Sequence, residues 1–415
     1  MIDRRFFLNG AAGAAGVAVA AATSAKAQTT RPASARGRPD IAVIGAGAFG
    51  GWTALSLLEK GAKVTSIDEY GPSNPRASSA GETRSLRSGY GEHGFYSAWS
   101  LKALELWRAR EVEFERKLVF PNDRLELAQE WSPAMLAQRA TFDRLGIHYE
   151  VLDRAQLRRA YPQMNFDDVE FAFVEKESAV VLMARNSMIR TSEVFQQKGG
   201  TFRTARAMPG DANGRRLENV KLGDGGTVAA DQFVFACGPW SPKVFPSLMT
   251  PRVTVARSEY YYWGVPAGDT RFSWPNQPAW HDHIEGGYGF GNIDSRGLKY
   301  SPNGGGQVRI DPDTTERLPT DHILARGRRY IGHRFPDMED APILETRVCQ
   351  MESTANTNFI IDRHPDYDNV WIAGGGGGHG FKFGPLTGDY VSNRVLGRAT
   401  DPDVDGLFSL TTQPS

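Results

Sequence analysis

Cysteine is scarce in this chain. Two cysteines in 415 residues leave no room for a disulfide framework or a paired-cysteine metal site. Charge of one sign is missing too. Lysine plus arginine and aspartate plus glutamate number 48 each, and neither a basic stripe nor an acidic tail runs along the chain. That balance argues against a nucleic-acid or membrane-surface partner. Solenoid-type repeats are absent. The apolar stretch from Ala11 to Ala22 is too short and too glycine-rich to span a bilayer, so no stable membrane anchor is expected. His281-Asp282-His283 lacks a third convergent ligand nearby and reads as a loop, so no metal is expected.

What is present begins with a targeting pattern. Asp3-Arg4-Arg5-Phe6-Phe7-Leu8 is a twin-arginine motif, and Ala25-Lys26-Ala27 is a small-x-small cleavage site. Residues 1–27 are expected to be a signal peptide and 28–37 a linker. The expected partner is the twin-arginine export machinery, which moves folded proteins, and the expected location is periplasmic or secreted.

Asp40-Ile41-Ala42-Val43-Ile44 is an apolar run fit for a buried parallel strand. It leads into Gly45-Ala46-Gly47-Ala48-Phe49-Gly50, a G-x-G-x-x-G. Trp52, Leu55, Leu57 and Leu58 follow at roughly helical spacing, Gly61 stops the helix, and Lys63 to Ile67 reads as a second strand ending at Asp68. Gly45 permits a tight turn, Gly47 lets backbone approach a pyrophosphate, and Gly50 allows close helix–strand packing. The helix N-terminus favours the anion. Asp68, about 20 residues on, is placed to bind ribose hydroxyls. The pattern marks a dinucleotide site. It does not separate FAD from NAD, and its acid argues only against NADP.

Further along, Phe95 to Arg116 reads as a helix with Trp99, Ala103, Leu106, Trp107 and Phe114 on one face. Ser178 to Leu182 introduces a helix through Gln197, followed by a strand at Thr201–Ala205. Arg216 to Val228 alternates around Asp224-Gly225-Gly226 as a hairpin. Asp231 to Ala236 is a buried strand closing on Cys237-Gly238, where Cys237 reads as packing. Val370 to Ala373 is a strand followed by five glycines, Gly374 to Gly378, and Pro385 suits the first turn of a helix to Val395. The glycines suit a flat ring lying against backbone. The helix N-terminus would favour negative charge on that ring.

Cys349-Gln350-Met351, then Phe359 to Pro365, Asn369 to Gly374 and Gly378-His379-Gly380-Phe381-Lys382-Phe383 resemble the flavin-attachment segment of the monomeric sarcosine oxidase and N-methyltryptophan oxidase family. The resemblance covers nearly all of the chain after the signal. It implies FAD bonded through Cys349, with Gly238, Gly378 and Gly380 beside it. Export in the folded state suits a protein that acquires FAD first. The implied fold is α/β, with a discontinuous Rossmann-type FAD-binding domain at 38–92, 178–250 and 336–398. An α+β substrate domain on an antiparallel sheet takes 93–177 and 251–335, and 399–415 is a tail.

Glu82 to Arg87 and Gly89 to Glu92 resemble the family segment that lies along the flavin and reaches the substrate. The resemblance gives Arg84 a place in the flavin neighbourhood. It gives Arg87 and Lys382 the substrate carboxylate, Tyr288 the substrate pocket and Lys299 oxygen activation. His379 falls close to the flavin. Ile310 to Thr314 also follows the pattern. Two departures stand out: Ser79 and Ala80 replace two histidines, and Asn303 replaces a pocket histidine. These leave the side-chain pocket open. The expected activity is oxidation of an N-methyl or other secondary amino acid to an imine, with O2 reduced to hydrogen peroxide. The rivals are a primary amino acid oxidase, a dehydrogenase with another acceptor, and a non-catalytic dinucleotide-binding redox protein.

Overall fold

In the computed structural model, residues 37–302 and 309–413 are described. The expected signal peptide, all but the last residue of the linker, and Asn303 lie outside the described residues. From Arg38 onward the chain forms one compact unit. Two large sheets organise it.

The first has six strands in the order Ile360–Arg363, Val370–Gly374, Gln232–Phe235, Asp40–Ile44, Lys63–Asp68 and Thr201–Thr204. All neighbours are parallel except the first pair. Asp40–Ile44 is buried throughout, as a central strand covered on both faces must be. Helix Ala48–Glu59 follows it and packs against helix Gly384–Val395. The approach is close because the second helix offers glycines. A Cβ on Gly388 would stand 2.6 Å from the Trp52 backbone.

The second sheet has eight strands: Ile343–Thr354, Val253–Trp263, Leu298–Ser301, Gly287–Phe290, Ala279–Asp282, Arg124–Ala128, Phe171–Glu175 and Tyr149–Asp153. Its pairs are antiparallel except for one parallel junction, Ala279–Asp282 with Arg124–Ala128. Strand Ile343–Thr354, expected in the FAD-binding stretch, pairs here along the length of Val253–Trp263. Cys349 therefore lies within this second sheet, opposite Ser258.

The first long helix spans Gly94–Glu113, and Trp99, Ala103 and Trp107 are buried. The helix expected from Ser178 starts later. Val180–Met183 is a strand between Thr83–Leu86 and Val119–Pro121, and the helix is Ala184–Gln197. Four consecutive apolar residues carry no period that separates strand from helix, and two unpaired backbone edges decided it. Among the described residues no helix is long and apolar enough to cross a membrane.

Candidate active site

Between the two sheets lies a cavity of about 530 Å³. Its wall takes in the G-x-G-x-x-G turn, the end of strand Lys63–Asp68, the segment 77–84, Gly238, Cys349 and the glycine run at 376–378. At the dinucleotide end, Gly45 adopts φ +102°, and a Cβ there would meet the Ala236 carbonyl at 2.2 Å. Only glycine fits. Gly50 lies behind the wall. Its Cβ would fall 1.9 Å from the Gly45 carbonyl oxygen, so its role is packing helix onto turn. Gly47 opens helix Ala48–Glu59 without a side-chain cap, leaving first-turn N–H groups at the cavity.

Asp68 lines the cavity as expected. Its carboxylate accepts hydrogen bonds from the N–H groups of Ala46 at 2.8 Å and Tyr70 at 2.9 Å. Burial pushes its pKa up, and these hydrogen bonds oppose the shift. Ser79 Oγ is buried without a partner among the described residues, beside Gly47, 3.2 Å from where a Cβ on that glycine would stand. A buried hydroxyl with no partner fits a polar ligand on this wall. An apolar floor, exposed helix amides, a ribose-binding acid and orphaned hydroxyl together fit FAD.

At the other end Cys349 is 7% exposed and lines the cavity. Arg84 lies beside it, its guanidinium donating to the carbonyls of Ser78 and Thr83 at 2.9 Å each and to that of Ala80. Arg84 thus ties down the turn before its own strand. Tyr288 also lines the cavity. Lys299 stands one layer back, 1% exposed. Its Nζ donates to the Thr83 carbonyl at 3.0 Å and lies 4.3 Å from the Tyr260 ring centre. Burial, then the charge of Arg84, holds its pKa well below the usual lysine value.

Arg87, Lys382 and His379 are brought together just outside the cavity wall, around Tyr90. The Arg87 guanidinium is 4.6 Å and Lys382 Nζ 4.8 Å from the Tyr90 ring centre. Lys382 is 3% exposed, and burial and then Arg87 push its pKa well down. Among the described residues no carboxylate lies within ion-pair distance of either cation. His379 Nδ1 is 3.3 Å from the Tyr90 hydroxyl, and Nε2 is 3.0 Å from the Thr357 carbonyl. Since a carbonyl only accepts, Nε2 carries the hydrogen and Tyr90 donates to Nδ1.

Three outcomes differ from the sequence reading or add to it. The N-terminus of helix Gly384–Val395 packs on Trp52, and the short turn Gly380–Phe383 before it supplies the cavity wall. Gly380 approaches Phe49, its Cβ position 2.9 Å from that ring, while a Cβ on Gly378 would make only an ordinary contact with the Met351 sulfur at 4.0 Å. Glu352 was not anticipated. It lines the cavity, with Ser78 Oγ donating to it at 3.2 Å, and burial raises its pKa. The only signal for it was an acid among apolar residues in a strand. His281 and His283 contact each other at 3.2 Å and His283 reaches Glu126 at 3.1 Å, whereas Asp282, on the opposite sheet face, binds Arg334 and Tyr330.

The profile of the family described as "DAO: FAD dependent oxidoreductase" matches residues 40–394. The chain is 28% identical over 381 residues to a monomeric sarcosine oxidase of Bacillus sp. (strain NS-129), covering 89% of this chain and 96% of that protein. It is 24% identical over 373 residues to an N-methyl-L-tryptophan oxidase of Citrobacter koseri, covering 87% and 95%. Among solved structures, a thermally stable mutant of fructosyl peptide oxidase matches with a TM-score of 0.79 at 20% identity, covering 91% and 94%. The open form of NikD, an amino acid oxidase of nikkomycin biosynthesis, matches at 0.75 and 19%, covering 90% and 97%.

Proposed function

The chain belongs to the FAD dependent oxidoreductase family, and from that premise we propose that it oxidises N-methyl or other secondary amino acids. The observation that carries this reading is the pair Arg87 and Lys382, two cations on one aromatic ring with no carboxylate within ion-pair distance among the described residues. Gathering like charges away from water is costly unless an anion joins them. A substrate carboxylate is that anion. A planar guanidinium takes it bidentately and the ammonium adds a point charge.

When bound, FAD supplies the acceptor for the hydride equivalent lost from the carbon next to nitrogen. The protein's part is to bind, orient and shield. Arg87 and Lys382 fix the acid end, and Tyr288 borders the space in which the amine must lie. The substrate leaves as an imine, which water hydrolyses to an aldehyde and an amine. Lys299 supplies a buried positive charge that favours anionic oxygen species on the way to hydrogen peroxide. Cys349 is the residue we assign to covalent attachment of the cofactor, since it lines the cavity. We also assign Arg4-Arg5 to twin-arginine export and the mature protein to the periplasm or medium. Replacing both by lysine should leave the precursor in the cytoplasm, and normal export of that variant would refute the assignment.

The test is peroxide formation and oxygen uptake across N-methyl amino acids and their primary amino acid parents. N-methyl amino acids should turn over fastest, with one peroxide per oxygen. Faster turnover of the primary parents, or substrate oxidation without peroxide, would overturn the proposal.

A further inference from the structure

Arg87 and Lys382 repel each other, yet they sit together in a site from which most water is excluded. Something must hold them there before substrate arrives. Backbone does part of this. The Trp107 indole donates to the Lys382 carbonyl at 2.6 Å, and Lys382 Nζ is 3.5 Å from the Arg87 carbonyl. The side chains themselves share one partner, the ring of Tyr90, which lies within 5 Å of both charges. An aromatic face attracts a cation through its quadrupole, most strongly when desolvated. The ring is itself clamped. It stacks on Tyr96 with centroids 5.3 Å apart, and its hydroxyl is held by His379, which the Thr357 carbonyl orients.

We infer that Tyr90 is the positioning residue of the carboxylate site, its ring face holding Arg87 and Lys382 together so that they meet the substrate acid preassembled. This rests on the carboxylate reading above and names the residue that makes it work. Tyr90 is not among the residues that line the cavity. Its ring is the essential part; the hydroxyl fixes the ring's angle through His379 and also meets the Arg87 side chain. A charge clamp assembled in advance binds more tightly than one gathered during binding.

The comparison is between Tyr90→Phe, which keeps the ring, and Tyr90→Leu, which removes it. Propionate binding to the purified holoenzyme is measured by calorimetry. In parallel, kcat/KM is measured for the best N-methyl amino acid and for its decarboxylated amine. The Phe variant should stay close to wild type. The Leu variant should bind propionate about tenfold more weakly or worse, and lose kcat/KM for the acid but not for the amine. A merely structural residue would depress both substrates alike. If Leu leaves propionate affinity and acid preference intact, the inference falls. If Phe loses as much as Leu, the hydroxyl and not the ring is responsible, and the inference falls again. If wild type neither binds propionate nor prefers the acid, the carboxylate reading fails first. Should Tyr90→Leu not fold, Tyr90→Met gives the same comparison with an unbranched chain and no ring.

Discussion

The guanidinium of Arg84 lies 3.9 Å from the sulfur of Cys349. Strand Thr83–Leu86 and strand Ile343–Thr354 belong to different sheets, so this contact joins them at the cavity. A fixed positive charge beside the sulfur stabilises negative charge that develops there when it forms a bond. The carbonyls of Ser78 and Gln350, 3.6 and 3.7 Å from the sulfur, are the acceptors offered to its hydrogen.

If Cys349 carries the flavin, acid-precipitated protein should stay yellow. Cys349→Ala should bind FAD that acid releases into the supernatant. A colourless wild-type pellet would remove covalent attachment from the account.

Lys299 should serve oxygen more than substrate. It is buried, and its nearest ring, that of Tyr260, is at the cavity wall. Lys299→Met keeps the volume and loses the charge. In stopped flow, reoxidation of the reduced variant by oxygen should slow by about two orders of magnitude or more, as loss of one preorganised charge allows. Reduction by substrate should change far less. Unchanged reoxidation would take Lys299 out of the oxygen step.

Gly50→Ala tests the packing of helix on turn. The added methyl would overlap backbone, which cannot swing aside as a side chain can. Overpacking of this kind costs about 1–3 kcal/mol. The expected result is a lower thermal midpoint and less flavin per chain. Wild-type flavin content with a wild-type midpoint would show that the turn has slack the geometry denies.

How much of this was legible in the sequence depends on how local each feature is. The strand Asp40–Ile44, the turn at Gly45 and the acid at Asp68 follow one another within thirty residues, and their chemistry is written in that order. The strand Val180–Met183 was hidden, because its identity comes from partners about sixty and a hundred residues away. Ile343–Thr354 was hidden likewise, because Val253–Trp263 captures it across some ninety residues. Ser79 was noted only as a departure, since its facing of Gly47 exists only after folding. Tyr90 lies in the segment Gly89 to Glu92, but nothing in its sequence neighbourhood reveals that Lys382 comes to rest on it.

Two histidines predict the acid side of the stability profile. Burial, aided by Arg124 at His281 and by Lys382 at His379, pushes both pKa values down to about 3 from an ordinary 6.5. Both are neutral in the folded protein while the unfolded chain takes up protons first. Their contribution is therefore complete above pH 6.5 and is lost as pH falls towards 3, at up to about 1.4 kcal/mol per pH unit for each. Urea unfolding at pH 7.5 and pH 5 should show the loss in wild type. His379→Asn should show a shallower one. Equal slopes for the two proteins would exclude His379.

The last prediction separates an amino-acid oxidase from an amine oxidase. Arg87 lies on the loop side of Tyr90 and Lys382 on the turn Gly380–Phe383, so the two halves of the clamp can be altered independently. A hydrogen bond to a charged group is worth about 1.5–3 kcal/mol, one to two powers of ten in specificity. Arg87→Ala should therefore lower kcat/KM for an N-methyl amino acid by at least tenfold and leave its decarboxylated amine almost unchanged. Loss of the acid preference in the variant, with the amine rate intact, locates discrimination at the carboxylate. A wild-type enzyme that treats acid and amine alike would mean that these cations serve some other anion, and the amine-oxidase reading would take the place of the one proposed.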